Sequence, residues 1–137
     1  MRTIVIDDDQ STLQVYNEYL EMLGFQDIKL VQRPSEYFAN HTIDNMVNDY
    51  DLILCDIHMP TIKGNEILDQ ASKAMQRNKK FPALFLITGV PADYFDHSEN
   101  GWASLSKADD ILDKPMRFTD LAAALKRQGF HLKDMMD

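Results

Sequence analysis

Short apolar runs alternate with amphipathic stretches along the chain, and this pattern predicts alternating strands and helices. The clearest apolar run, Leu52–Cys55, is typical of a strand that is buried on both faces. Near the N-terminus, Leu13, Tyr16, Leu20 and Leu23 repeat at helical spacing and predict an amphipathic helix. The predicted strands are Thr3–Ile6, Ile28–Val31, Leu52–Asp56, Ala83–Ile87 and Ile111–Asp113.

Helices are predicted after the first, second, third and fifth of these strands. The first has Ser11 as its N-cap and stops at Gly24, and the others are Pro34 to about Asn48, Asn65–Arg77 and about Phe118 to Gln128. The segment Val90–Lys107 gives conflicting signals, because a helix start and an Asn-Gly turn fall within it. Alternation of this kind predicts an α/β fold, a doubly wound five-stranded parallel sheet with helices on both faces.

Composition narrows the classes of function. A chain of 137 residues is long enough for one domain with one core, and no apolar run approaches the roughly 20 residues that span a membrane. The net charge of −8 argues against a surface that binds nucleic acid. The single cysteine excludes an intrachain disulfide, and Met1–Ile4 reaches acidic residues too soon for a signal peptide. Together these features predict a cytoplasmic protein.

Polar groups follow four of the predicted strands. Asp7-Asp8-Asp9 comes after the first strand, Asp56 ends the third, Thr88 follows the fourth and Lys114 follows the fifth. The carboxyl ends of parallel strands meet at one edge of the sheet, where ligands bind. Carboxylates gathered there repel each other unless a cation lies among them, and oxygen ligands suit Mg²⁺. With a lysine and a hydroxyl nearby, the edge is suited to a phosphoryl group on or near a carboxylate.

These residues resemble the receiver domain of the two-component response regulators, of the chemotaxis response regulator type. The family's acid pair after the first strand corresponds to Asp7-Asp8, and its phosphoacceptor followed by Met-Pro and Gly corresponds to Asp56, Met59-Pro60 and Gly64. Its hydroxyl residue and its Lys-Pro pair correspond to Thr88 and Lys114-Pro115. The resemblance covers nearly the whole chain, and it implies the flavodoxin-like strand order 2-1-3-4-5.

The resemblance also implies roles for these residues. Asp56 would accept a phosphoryl group from a histidine kinase or a histidine phosphotransfer protein, with Lys114 and Thr88 contacting the phosphate. Mg²⁺ would be bound by Asp8, Asp56 and the backbone carbonyl of His58, and by Asp7 through a water molecule. Asp9 is expected to be a loop residue or a solvated acid, and Pro115 to follow a cis peptide bond. Such a domain is not an enzyme in the usual sense, although it assists its own phosphorylation and dephosphorylation.

The expected domain occupies residues 1–130, and 131–137 would form a tail or the start of a linker. Its partners would be the kinase or phosphotransfer protein and an output domain or target protein, without direct contact to nucleic acid or membrane. Three positions depart from the family pattern: Ile111 replaces a common aromatic residue, Gly89 replaces a common alanine, and Lys107 stands where a glycine that ends a helix is usual. The interval from Thr88 to Lys114 is also a few residues longer than is usual for the family. We therefore expect the signal to pass mainly through the segment from Gly89 to Trp102.

Three other classes of protein compete with this prediction. An aspartate-nucleophile phosphatase of the haloacid dehalogenase type needs an acid two residues after Asp56, where this chain has His58. A flavodoxin-like electron carrier needs a glycine- and hydroxyl-rich loop after the first strand, where Asp7-Asp8-Asp9 would repel the flavin phosphate. A pseudo-receiver, a binding module of the same fold that takes no phosphate, is the remaining alternative.

Overall fold

The computed structural model describes residues 1–57, 64–89 and 108–132. Within these residues the chain forms five strands and five helices. The strands are β1 (Arg2–Ile6), β2 (Asp27–Val31), β3 (Leu52–Asp56), β4 (Ala83–Thr88) and β5 (Asp110–Asp113). The helices are α1 (Gln10–Met22), α2 (Pro34–Asn40), α3 (Ile43–Asp49), α4 (Gly64–Asn78) and α5 (Phe118–Arg127).

The five strands form one parallel sheet in the order β2-β1-β3-β4-β5. Parallel neighbours require crossover connections, which the intervening helices supply between the first strands. The central strand, β3, pairs with both β1 and β4, and every one of its residues is buried. The predicted doubly wound sheet and its strand order are confirmed.

Alternate residues of β3 serve two separate cores, because successive side chains of a strand point to opposite faces. Ile53 and Cys55 belong to the core beneath α3 and α4, and Leu52 and Leu54 to the core beneath α1 and α5. Burying one such aliphatic side chain is worth about 1.5–3 kcal/mol. Cys55 is buried in the first of these cores, and its burial raises the pKa of the thiol. These two clusters are called the α3–α4 core and the α1–α5 core below.

The segment predicted as a single helix from Pro34 to about Asn48 is two helices. His41 leaves the helical conformation with φ −137° and ψ 142°. Thr42 then caps α3, since its hydroxyl accepts from the Asn45 N–H at 3.0 Å and Asn45 Oδ1 accepts from the Thr42 N–H at 3.0 Å. A reciprocal cap of this kind starts a new helix, so the prediction of one continuous helix is wrong.

The N-cap of α1 also differs from the prediction. Asp9 occupies the cap, with extended φ −97° and ψ 113°, and its side chain accepts from the Ser11 N–H. Ser11, the predicted cap, lies inside the first turn, so that prediction is wrong. The prediction of Asp9 as a loop residue or solvated acid is incomplete, because Asp9 also caps the helix. The predicted stop at Gly24 is confirmed by its positive φ of 99°. The other predicted elements agree with the structure to within a residue at their ends.

After α5 the chain returns to the core. Gly129 has φ 86°, and the Phe130 ring then packs on Phe25, with ring centroids 5.9 Å apart. Leu132 is partly buried against the α1–α5 core. The predicted division of the chain at residue 130 stays a prediction, and residues 133–137 lie outside the described part. Among the described helices, none has the length and apolar character needed to cross a membrane.

Candidate functional site

Four strands bring polar groups to the carboxyl-terminal edge of the sheet. Asp7 follows β1, Asp56 ends β3, Thr88 ends β4 and Lys114 follows β5. The register pairs Thr88 with Asp113, which places Lys114 directly beyond the end of β4. The residues Asp7, Asp56 and Thr88 are only 0%, 2% and 1% exposed, so the edge has a buried polar floor.

Lys114 joins the two buried carboxylates of this floor. Its Nζ lies 3.0 Å from Asp7 Oδ2 and 3.2 Å from Asp56 Oδ2. The backbone N–H of Lys114 donates to the Thr88 carbonyl at 2.7 Å, and the Lys114–Pro115 peptide bond is cis, as predicted. Burial lowers the pKa of Lys114, but the carboxylates of Asp7 and Asp56 raise it by more, and the net shift is upward. Lys114 is therefore protonated and positively charged at neutral pH.

Asp7 is the most confined of the acids. Its Oδ1 accepts the Asp9 N–H at 2.9 Å, while its Oδ2 faces Lys114. Burial raises the pKa of the Asp7 carboxyl, and the charge of Asp56 adds to this effect. The bonds from Asp9 and Lys114 oppose the shift without cancelling it. The folded structure thus favours the ionised form of Asp7 less than the unfolded chain does.

The acids of this edge fit a divalent cation. Asp7, Asp8 and Asp56 each offer a carboxylate oxygen, and these oxygens all lie within 4.8 Å of one another. Within the described part of the chain, the ammonium group of Lys114 pairs with Asp7 and Asp56. One such positive charge leaves three ionised carboxylates with a negative excess. A cluster of oxygen ligands around such an excess suits a hard cation such as Mg²⁺. Asp8 is exposed, which leaves room on its side for the waters that Mg²⁺ retains.

The sequence profile of the response regulator receiver domain matches residues 3–126. The chain belongs to this family. The match takes in the sheet from Thr3 onward and every described residue of the candidate site. The acidic edge therefore lies where the sequence motifs predicted the functional centre of a receiver.

Known relatives agree with this assignment. The transcriptional regulatory protein CusR of Escherichia coli (strain K12) is 30% identical over 126 residues, which cover 92% of this chain and 50% of CusR. The receiver chain thus spans about half the length of that relative. A CheY-like receiver domain protein from Methanospirillum hungatei JF-1 has a TM-score of 0.66 at 28% identity, covering 93% of this chain and 91% of its own.

A more distant structure supports the fold alone. The receiver domain of the histidine kinase CKI1 from Arabidopsis thaliana, a complex with Mg²⁺, has a TM-score of 0.73 at 18% identity. The similarity covers 93% of this receiver and 90% of the CKI1 chain. The sheet with its surrounding helices is therefore retained where most of the sequence differs.

The structure brings together nearly all of the predicted site residues. Asp7, Asp8, Asp56 and Lys114 converge, and Thr88 lies beside them at the end of β4. The one exception is His58, whose predicted backbone carbonyl ligand lies outside the described residues. The individual roles of these residues remain predictions.

Two of the departures from the family pattern lie in the described part of the chain, and their surroundings differ. Ile111 is half-buried and packs against the α3–α4 core. At Gly89 an added Cβ would lie 3.8 Å from Lys114 Cβ, an ordinary contact distance. The described glycines with positive φ are Gly24 and Gly129, so the backbone at Gly89 does not require glycine. The predicted signalling segment beyond Gly89, up to Trp102, lies outside the described residues.

Sequence reasoning missed the part that Asp9 and Thr12 play at this edge. Asp9 Oδ2 accepts the Thr12 hydroxyl at 2.8 Å, and the Asp9 N–H contacts Asp7. The pKa of Asp9 is lowered, first by the Thr12 bond and then by the Ser11 N–H. An Asp directly before an amphipathic helix is itself an N-cap signal, but Ser11 offered a competing one.

Proposed function

We propose that this receiver domain accepts a phosphoryl group on Asp56, from the phosphohistidine of a histidine kinase or of a phosphotransfer protein, in a Mg²⁺-dependent reaction. The observation that carries the proposal is the position of Lys114 Nζ, 3.0 Å from Asp7 and 3.2 Å from Asp56. A fixed positive charge beside a buried carboxylate is suited to a group that arrives with several negative oxygens. The pseudo-receiver alternative is not favoured, because the acids, Lys114 and Thr88 are all present.

In the proposed reaction, a carboxylate oxygen of Asp56 attacks phosphorus. The new P–O bond forms as the P–N bond to the donor imidazole breaks, and the imidazole leaves with the bonding electron pair. Asp56 is 2% exposed, so its carboxylate is held in one place rather than moving freely in solvent. Holding the nucleophile and the incoming phosphorus in line is a large part of phosphoryl-transfer catalysis.

Lys114 is already in place before transfer. Its ammonium contacts Asp56 in the resting state, and its backbone is bonded to Thr88, so little reorganisation is needed when phosphoryl oxygens replace the carboxylate as its partner. Thr88 would donate its hydroxyl to the phosphate and thereby detect phosphorylation. The negative charge and acceptor oxygens of the phosphoryl group would supply the energy for that rearrangement.

The metal would be held by Asp8, Asp56, the backbone carbonyl of His58 and, through water, Asp7. When bound, Mg²⁺ would supply positive charge that neutralises the acids and the transferred group. Asp56 belongs to the acid cluster that would bind the metal, and it also contacts Lys114. Both positive charges would therefore lie next to Asp56.

The signal would leave the domain through a partner-binding surface. We propose that residues 1–130 form the receiver and that 131–137 begin a tail or linker. The partner would be an output domain or a target protein, and the domain itself would not bind nucleic acid or a membrane. We place this activity in the cytoplasm, where histidine kinases transfer their phosphoryl groups.

The proposal is tested by intact-mass spectrometry after incubation with acetyl phosphate and Mg²⁺. We expect one added phosphoryl group on the wild-type protein, none on Asp56→Asn, and a strongly reduced yield on Lys114→Ala. A matched control is Asp27→Asn, which removes an exposed acid paired only with Arg2 in the described residues. A full yield on Asp56→Asn, or no transfer to a folded wild-type protein, would contradict the proposal.

A further inference from the structure

Both carboxylate oxygens of Asp9 accept hydrogen bonds from the first turn of α1. Its Oδ1 accepts the Ser11 N–H at 3.1 Å, and its Oδ2 accepts the Thr12 hydroxyl at 2.8 Å. The first N–H groups of a helix have no partner within the helix, so such bonds hold the first turn closed. The negative charge of Asp9 is also favourable beside a helix N-terminus.

The backbone of the same residue contacts the acidic site. The Asp9 N–H donates to Asp7 Oδ1 at 2.9 Å, and the other oxygen of Asp7 lies 3.0 Å from Lys114 Nζ. One oxygen of this buried carboxylate is therefore held by Asp9 and the other by Lys114. With both oxygens restrained, the plane of the Asp7 carboxylate cannot rotate freely.

We infer that Asp9 is a positioning residue for the metal and phosphoryl site: by capping α1 it directs its own backbone N–H at Asp7 and fixes the orientation of that carboxylate. The inference rests on the proposed function, because it concerns the same site. Any residue except proline has an N–H at position 9, but the direction of that N–H depends on the extended conformation of the cap. That conformation is held by the bonds to Ser11 and Thr12.

Asp9 does not act as a fourth metal ligand in this arrangement. The carboxylate oxygens that cluster within 4.8 Å of one another come from Asp7, Asp8 and Asp56. Both oxygens of Asp9 are turned to Ser11 and Thr12 instead. Groups that orient metal ligands typically change metal affinity about 10–100-fold when they are removed, although they never touch the ion.

The test compares three substitutions with a matched control. Asp9→Ala removes the cap, Asp9→Asn removes the charge but keeps a side chain that caps well, and Thr12→Val removes only the hydroxyl. The control, Thr42→Ala, removes the N-cap of α3, which uses the same kind of bond on another helix. Both cap deletions are expected to lower Tm by a few degrees.

Mg²⁺ affinity, measured by calorimetric titration, separates positioning from stability. Asp9→Ala should bind Mg²⁺ about tenfold more weakly. Asp9→Asn should retain the wild-type affinity, because its Oδ1 can accept the Ser11 N–H while its amide donates to the Thr12 hydroxyl oxygen. Thr42→Ala should also retain it, and Thr12→Val should fall between these variants and Asp9→Ala. The inference is overturned if Asp9→Ala binds as well as Thr42→Ala. It is also overturned if Asp9→Asn loses as much affinity as Asp9→Ala, since charge rather than orientation would then be responsible.

A second readout needs no metal. Amide hydrogen exchange at position 9 should be slow in the metal-free wild type, because its N–H is bonded to a buried carboxylate. The rate should rise in Asp9→Ala and remain slow in Thr42→Ala. If the wild type binds no Mg²⁺ and accepts no phosphoryl group, the proposed function fails, and this exchange measurement still decides whether Asp9 orients Asp7. An exchange rate unchanged in Asp9→Ala overturns the inference.

Discussion

Opposing electrostatic effects act on the charges of single residues at the acidic edge. Burial disfavours the charge of Asp7, and the nearby carboxylate of Asp56 disfavours it further. Lys114 and the Asp9 N–H favour that charge, but they do not outweigh burial. Keeping such a group therefore costs stability, a cost typical of sites that are built for a ligand.

Asp7→Asn should stabilise the metal-free protein by about 1 kcal/mol at neutral pH, a usual size for one substitution. The pKa of Asp7 is raised above its ordinary value of 3.8, so the folded protein binds this proton more tightly than the unfolded chain does. The contribution of Asp7 to the free energy of unfolding consequently falls as pH rises from the pKa of the unfolded chain to the raised pKa of the folded protein. The advantage of the variant should appear across that pH range and persist above it.

Urea unfolding of both proteins from about pH 4 to pH 7 in the presence of a chelator measures this difference. The control is Asp27→Asn, which changes an exposed acid that pairs with Arg2 away from this edge. A variant that is equally stable or less stable than the wild type throughout the range would show that burial does not dominate at Asp7.

At the scale of elements, the ends of strands and helices decide which side chains meet. β4 ends at Thr88, and Gly89 follows it beside Lys114. α5 ends at Arg127, and Gly129, whose φ is 86°, follows its C-cap residue. Each glycine comes shortly after a regular element, but only Gly129 adopts a conformation that side chains avoid. They therefore form a matched pair for a test of element ends.

Gly89→Ala should be tolerated and should raise the free energy of unfolding by about 0.4–1 kcal/mol, because it restricts the unfolded chain. Its added Cβ would only contact Lys114, at 3.8 Å. Gly129→Ala should instead lower stability by roughly 1 kcal/mol, since it places a Cβ at positive φ. Thermal and urea unfolding check both values. A loss of stability in Gly89→Ala as large as that in Gly129→Ala would show that the backbone at Gly89 does require glycine.

At the scale of the whole molecule, one parallel sheet collects residues that are far apart in sequence. The site combines groups from β1, β3, β4 and the residues after β5, so it exists only when the complete sheet has formed. A ligand of this site binds the folded state and not the unfolded chain. Binding is therefore linked to the stability of the entire domain.

Mg²⁺ should raise Tm, and the added stability should grow with the logarithm of the Mg²⁺ concentration once that concentration exceeds the dissociation constant. At ten times the dissociation constant the added stability is about 1.4 kcal/mol. Asp8→Asn should reduce this gain strongly, because it removes the exposed member of the acid cluster. A thermal-shift titration with Mg²⁺ measures the effect, and Asp27→Asn should respond like the wild type. An identical gain in Asp8→Asn would exclude this acid as a ligand.

Hydrophobic patterning alone predicted the sheet, its strands and most of the helices. The uninterrupted apolar residues of Leu52–Cys55 require burial on both faces, and the polar residues after each strand must then share one edge. The motif around Asp7-Asp8, Asp56, Thr88 and Lys114 likewise identified the family and predicted which polar residues meet at this edge. These features are local in sequence or follow from the parallel topology, so they can be predicted before any distance is known.

Only the tertiary structure decided which of several local signals prevailed. Thr42 and Asn45 divide one apolar periodicity into α2 and α3, and Asp9 rather than Ser11 caps α1. The contacts of Lys114 with both Asp7 and Asp56 depend on how β1, β3 and β5 align across the sheet. Competing caps differ by only about 1 kcal/mol, so packing and register, which act between distant residues, determine the outcome.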